Sequence, residues 1–268
     1  MKKTILEYII DGSITVGSIE AFGSVLEEFP GRPEIRKMFA ELLAACKRMD
    51  DAVQQYDEAA YLFLDAGRLF PAWVCKLLQW QLQRPSRHKF LEFHQALGNT
   101  PHNGAPVDEF IRNLTPPERM AVFSKFGCIR VPAKKTIMSN GDRRVCLYLV
   151  VCGALQEASY GKPSQTLGVQ REDSRILWEA DCFGDAYPFS RQSSDPCCVH
   201  TTRRVELVTI SRQQLIDACS RFPGVERGLM RLCRFQVETN KKSARQDFRP
   251  EKHYRIAASA RAEATAGG

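Results

Sequence analysis

The order of apolar and polar positions divides the chain into a helical first third, a strand-rich middle and a polar end. In the first ninety residues a triplet at gaps of four and three recurs with a spacing of 34. Ser18, Phe22 and Val25 become Ala52, Tyr56 and Ala59, and then Ser86, Phe90 and Phe93. Such gaps put the three side chains on one face of a helix. The preceding helix repeats as well, since Phe39-Ala40 becomes Trp73-Val74. Val74 and Phe93 replace small residues, so the third copy is degraded. Pro30, Gly31 and Pro33 break the chain between the first helix and the next.

Residues 96–107, dense in Gly, Asn and Pro, read as a linker. From Phe110 to Phe126 the pattern is helical again, with Thr115 as cap, Pro116-Pro117 opening a helix, and Met120, Phe123 and Phe126 at spacings of three. The texture then changes to short β-prone runs separated by turns: CIRVP, KTIMS, CLYLVVCGALQEASY, RILWEADCF and VELVTI. Runs at this spacing predict an antiparallel barrel or roll. Gly141 and Gly153 fall at its tight turns. A last amphipathic helix carries Val225, Leu229, Leu232, Cys233 and Gln236 on one side.

Length and composition agree with two soluble domains: 268 residues, 44% hydrophobic and 26% charged. The longest apolar runs are far too short to span a bilayer. Glu7 and Asp11 interrupt an N-terminus that otherwise starts like a signal peptide, so a cytoplasmic protein is expected. Ten scattered cysteines without C-x-x-C or zinc spacing read as reduced, mostly buried thiols, and no metal is expected. Of the net charge of +7, residues 240–268 supply +4 (seven Lys/Arg against three acids), so the basic character belongs to a tail. Nucleic acid is therefore not an expected partner. Five histidines at 88, 94, 102, 200 and 253 show no ligand spacing, and neither G-x-S-x-G nor a P-loop occurs. The expectation is a protein that is not an enzyme and carries no cofactor.

The repeat from Ile35 to Leu64, with Ala40, Ala52, Tyr56 and Ala59 at its packing positions, resembles a tetratricopeptide repeat. The middle of the chain resembles a cyclic-nucleotide-binding domain of the catabolite activator type. The elements that carry this resemblance stand in order: Val131-Pro132-Ala133 with Thr136-Ile137, Gly141-Asp142, Leu147 to Val150 with Gly153, Phe183-Gly184-Asp185, Val205-Glu206-Leu207 with Ile210, and Phe222-Pro223. Together they predict a multidomain α + β chain. Helical tetratricopeptide-like repeats (1–95) and the linker (96–107) precede an antiparallel β-roll or jelly-roll barrel with flanking helices (108–238), and a basic tail (239–268) follows, possible start of a further domain.

The resemblance implies that the segment starting at Phe183 cradles a cyclic phosphate and ribose on backbone N–H groups. Asp185 then stands where a ribose-accepting glutamate is implied, one methylene shorter. The implied phosphate-binding arginine falls at Asp195, where a carboxylate repels a phosphate. Candidate contacts are Phe183, Gly184, Asp185, Ala186, Arg191, Cys197 and Cys198, with Arg191 as the substitute cation. Three outcomes stay open: a cyclic nucleotide bound through a relocated arginine, a different small ligand, or a ligand-free structural barrel. In the tail, Arg245-x-x-x-Arg249 is similar to the opening of a PilZ domain and implies cyclic di-GMP as an alternative second messenger. The reading is a bacterial-type signalling or regulatory protein whose repeats hold a protein partner. The helix near 224–238 is its candidate homodimer contact, and a structural scaffold is the alternative.

Overall fold

The computed structural model describes residues 4–101, 104–139, 142, 146–160, 172–185 and 197–243. Among the described residues eight helices come first: α1 (Ile5–Ile10), α2 (Ile19–Glu28), α3 (Pro33–Ala45), α4 (Met49–Asp65), α5 (Leu69–Leu82), α6 (Arg87–Asn99), α7 (Pro106–Asn113) and α8 (Pro116–Phe123). The 34-residue pattern corresponds to helix pairs. Ser18 and Ser86 are N-caps of α2 and α6, accepting from the N–H groups of Ala21 and Lys89. Ala52, in contrast, sits inside α4. Ala40, Ala52 and Ala59 are buried where α3, α4 and α5 approach closely, and Tyr56 is buried beside them. Helix α5 is apolar nearly all round and is correspondingly buried on most sides. Its Trp73 lies among Trp80, Phe93, His94 and Phe123 at centroid distances of 5.3–6.3 Å, which fastens α6 and α8 to it. The helical run read from Phe110 to Phe126 is two helices that meet at the Thr115 cap read in the sequence, and the second stops at Phe123. The run breaks at Leu114-Thr115, where the Glu118 carboxylate accepts from the Thr115 N–H (2.8 Å).

Eight strands follow among the described residues: β1 (Gly127–Val131), β2 (Thr136–Met138), β3 (Cys146–Cys152), β4 (Leu155–Tyr160), β5 (Glu172–Leu177), β6 (Cys182–Gly184), β7 (Cys197–Thr201) and β8 (Val205–Ser211). They form two antiparallel four-stranded sheets, β1-β8-β3-β6 and β2-β7-β4-β5. This is the interleaved order of a jelly roll. Strand β7 is absent from the β-prone runs read in the sequence, which skip CCVHT. The run CLYLVVCGALQEASY divides into β3 and β4 at Gly153, whose φ is +95°, and a Cβ there would strike the Arg204 carbonyl. Gly141 lies outside the described residues.

Alternation along the strands separates two cores. Val150, Phe183, Val205 and Leu207 point into the roll, where they meet Met138, Leu155, Leu177 and Val199 from the other sheet. Leu147, Leu149, Val151, Cys182, Val208 and Ile210 point outward and join a core that also holds Ala40, Phe63, Trp73, Phe110 and Phe123 of the helices. The helical layer and one face of the roll therefore share a continuous apolar core. After β8 the chain closes with α9 (Arg212–Arg221) and α10 (Pro223–Ser243). Val225, Leu229 and Leu232, the stripe read as a closing or dimer face, are buried within the chain. There α10 crosses α7 so closely that a Cβ on Gly228 would touch the Phe110 ring. No helix among the described residues is long and apolar enough to cross a membrane.

Candidate functional site

The Phe183-Gly184-Asp185 turn forms at the end of β6. Phe183 is buried inside the roll and stacks on Tyr148 of β3 (4.8 Å between centroids, 6° between planes). Gly184 has φ +94°, and a Cβ there would collide with the Cys146 carbonyl oxygen. The Asp185 N–H then donates to that same carbonyl (2.9 Å), extending the β3–β6 pairing by one residue. The Asp185 carboxylate is buried, with Oδ2 3.6 Å from the Arg212 guanidinium at the start of α9. Its negative charge also reaches Cys233 of α10, whose thiol burial and Asp185 push up to about 11. This turn therefore bears on both closing helices. Cys198 lies on β7, opposite Ala158 of β4, and Cys197 is the first residue of that strand. Ala186, Arg191 and Asp195, together with Arg245 and Arg249 of the tail, lie outside the described residues. His200 on β7 meets the Gln156 amide of β4 at 3.2 Å, an ordinary cross-strand contact.

A second constellation, which the sequence reading missed, lies on the opposite flank of sheet β1-β8-β3-β6. Glu206 of β8 points outward, toward α3. Both its oxygens accept from the Lys37 ammonium at 2.7 Å, and the Cys128 thiol donates to it at 3.1 Å. Lys37 also donates to Glu41 one turn along α3 (2.6 Å), and Glu41 pairs with Arg130 of β1. The Lys37 and Glu206 side chains are only 6% and 8% exposed. Burial alone would lower the pKa of Lys37 and raise that of Glu206. The opposed charges overcome it, so Lys37 is held well above its ordinary value and Glu206 below its own. Two cations and two carboxylates make the quartet neutral, the condition for keeping charges in a dry seam.

Nearby, Arg68 at the start of α5 donates two parallel bonds to Glu179 (2.8 and 2.6 Å) in the β5–β6 connection and pairs with Glu34 of α3. Burial would lower its pKa, but the two carboxylates raise it. Asp108 of α7 accepts from the Phe70 N–H at 2.8 Å, and burial lifts its carboxyl to about 7. The contacts of Glu206 with Lys37 and Cys128, and those of Arg68 and Asp108, join residues 34 to 169 positions apart, so no local sequence spacing marks them. The alternation of β8 held the one available cue. A glutamate between Val205 and Leu207, both facing the roll interior, had to face the other way.

The two flanks can do different things. The Phe183–Asp185 turn offers backbone and a carboxylate at the rim of the roll. The Lys37–Glu206 seam locks the helical layer to β8. Among the described residues no three His, Cys, Asp or Glu side chains gather as a metal site. Burial pushes the Cys75 thiol up, which leaves it protonated and unreactive at neutral pH.

No protein-family profile matches the chain, and no curated protein matches it in sequence. Among solved structures it is similar to the catabolite activator protein of Thermus thermophilus, with 20% identity over 51% of this chain and 61% of that one, at a TM-score of 0.40. It is similar also to the N-terminal domain of a transcriptional regulator from Streptomyces coelicolor A3(2) (14%, 55% and 98%, 0.39). A third is the sensor domain of the transcriptional regulator DNR from Pseudomonas aeruginosa (10%, 60% and 99%, 0.39). The chain spans about three fifths of the catabolite activator protein that it matches.

Proposed function

We propose that this chain is a non-enzymatic regulatory protein in which the jelly roll senses a small ligand and the helical layer presents a surface to a protein partner. The observation that carries the reading is the link from the rim of the roll to its closing helices. Asp185 follows the positive-φ Gly184 turn, lies 3.6 Å from Arg212 at the start of α9 and acts electrostatically on Cys233 of α10. A ligand that binds at Asp185 competes with Arg212. It thereby biases α9 and α10 in proportion to its differential affinity for the two arrangements. The ligand class that we propose is a cyclic nucleotide, with Arg191 supplying the positive charge. The paired helices of residues 1–95 are proposed as a tetratricopeptide-like platform, the roll and its helices (108–238) as the sensor, and the helix near 224–238, by the exposed face that carries Glu226, Arg227 and Arg231, as a subunit contact. We place the protein in the cytoplasm.

A second reading is a scaffold whose roll holds no ligand. One observation favours it: among the described residues the roll interior is filled by Met138, Val150, Leu155, Leu177, Phe183, Val199, Val205 and Leu207. No phosphate partner stands among them. Thermal unfolding of the full chain with cyclic AMP, cyclic GMP and cyclic di-GMP at millimolar concentration separates the two. A ligand present at 100 times its Kd adds about 2.7 kcal/mol, a rise of several degrees in Tm. A rise with either mononucleotide that Arg191→Gln abolishes supports the sensor. A rise only with cyclic di-GMP, abolished by Arg245→Ala, moves the sensing to the tail. No rise with any of the three leaves the scaffold.

A further inference from the structure

A cleft of about 50 Å³ opens at the seam between the helical layer and the outer face of the roll. Its apolar wall includes Ile10, Met38, Phe63 and Val151. Its polar wall holds Lys37, Glu41, Arg130 and Glu206, which satisfy one another, and also Glu34, Arg68 and Arg204. Two groups on this wall are left incomplete. Glu34 gives one oxygen to Arg68, and its other oxygen, Oε2, is buried with no hydrogen-bond partner. Arg204, which leads into β8, has no carboxylate partner among the described residues. Its guanidinium lies across Gly12, where a Cβ would overlap it. Gly12 has φ +75°, so both the conformation and the missing side chain at this position give Arg204 its place.

An acceptor without a donor and a cation without an anion therefore line the same small cleft. The buried Glu34 oxygen is costly if left unmatched, on the order of 1–3 kcal/mol for a buried polar group, and the part-buried Arg204 guanidinium offers the cleft a positive charge. We infer that this cleft binds a small zwitterion, an amino acid of about three to five carbons, whose ammonium meets Glu34 and whose carboxylate meets Arg204. The size agrees. A space of about 50 Å³ holds roughly three to five waters, and so the polar ends and short chain of such a molecule. The apolar wall takes its methylenes. The ion pair with Arg204 draws on a guanidinium that offers parallel donors to two carboxylate oxygens. This site stands apart from the roll interior and does not depend on the sensing proposed there. The bound molecule would bridge α3 to the start of β8 beside the Lys37–Glu206 seam.

The test is titration calorimetry on the full chain with β-alanine, 4-aminobutyrate and 5-aminovalerate. Butyrate and butylamine serve as ligands carrying only one of the two charges. At least one zwitterion is expected to bind tenfold or more tightly than either control. Arg204→Gln should reduce that zwitterion to the level of butylamine, and Glu34→Gln to the level of butyrate. Arg204→Lys, which keeps the charge but loses the parallel donors, should bind several-fold more weakly than the native chain and more tightly than Arg204→Gln, and Arg203→Gln, one residue outside the cleft, should retain all of the affinity. Because Arg204 has no ion pair to lose, its substitution leaves the fold intact, and a thermal melt verifies this. Binding of no zwitterion overturns the proposal, and so do equal binding of the singly charged controls and unchanged affinity in Arg204→Gln. The proposed nucleotide response is read from separate ligands, so failure of one reading does not touch the other.

Discussion

Replacing Lys37 by Met tests whether the charged seam holds the two halves of the molecule together. In the native protein Lys37 and Arg130 balance Glu41 and Glu206, and Lys37 makes three contacts of 2.6–2.7 Å within this group. Lys37→Met leaves two carboxylates facing Arg130 alone. Glu206 then keeps the Cys128 thiol at 3.1 Å and the Arg130 guanidinium at 3.9 Å. Removing one partner of a buried pair costs about 3–5 kcal/mol. The two remaining contacts of Glu206 place Lys37→Met near the lower end, about 3 kcal/mol. Glu206→Gln alone strands Lys37 beside Glu41 and should cost about the same. The double variant Lys37→Met/Glu206→Gln restores neutrality, because Glu41 and Arg130 still pair. It should therefore sit within about 1 kcal/mol of either single variant, well short of their sum, with a coupling energy of about 3 kcal/mol. The assay is urea unfolding at pH 7, followed by far-UV circular dichroism. A single-variant loss below about 1 kcal/mol, or a double variant equal to the sum, would refute the reasoning. The seam also carries a pH signature. Glu206 is held below its ordinary value of 4.5, so the stability it contributes is present above that pH and is lost as pH falls through the lowered value. In Lys37→Met that acid loss should begin at higher pH.

Three further outcomes follow from the same geometry. Asp108 keeps its proton to about pH 7 when folded but only to about 3.8 when unfolded, so it costs stability increasingly as pH rises from 3.8 to 7. Asp108→Asn, which keeps the acceptor for Phe70, should flatten that slope and raise stability at pH 8 by on the order of a few kcal/mol, read by urea unfolding across pH. His94 is pushed down to about 4 by burial and by Arg119, which meets its Nδ1 at 2.6 Å. The unfolded chain takes up this proton near pH 6.5, so stability should fall as pH drops from 6.5 toward 4, and an NMR titration should find the His94 ring neutral above pH 5. Gly184→Ala forces a side chain into a positive-φ position against the Cys146 carbonyl and should cost about 2–4 kcal/mol in chemical denaturation, whereas alanine at exposed, open Gly31 should cost less than about 1.

Periodicity along the chain was enough to read the helical third, the change to strands and the position of most turns. Gaps of four and three are visible only if a helix buries one face, and Ala52, Tyr56 and Ala59 do so. Strand β7 was not legible because Cys197-Cys198 reads as two thiols and only Val199 is a strong strand former. Gly153 was legible as a turn because a positive φ favours glycine, and its φ is +95°, whereas Phe183-Gly184-Asp185 stood out only through the family resemblance.

The partners of the charged groups were a different matter. Lys37 looks like a surface lysine in an amphipathic helix, and Glu206 like a polar residue on a half-exposed strand. They lie 169 residues apart in the chain, and only the docking of α3 on β8 makes them a buried pair. The same docking creates the cleft that holds Glu34 and Arg204. The sequence by itself determined which segments are helix and strand and which side of each is apolar, since those follow from short-range spacing. Which faces meet was decided by the tertiary fold, because burial of the outer face of β1-β8-β3-β6 against α3 and α5 follows from packing across the whole chain and from no local pattern.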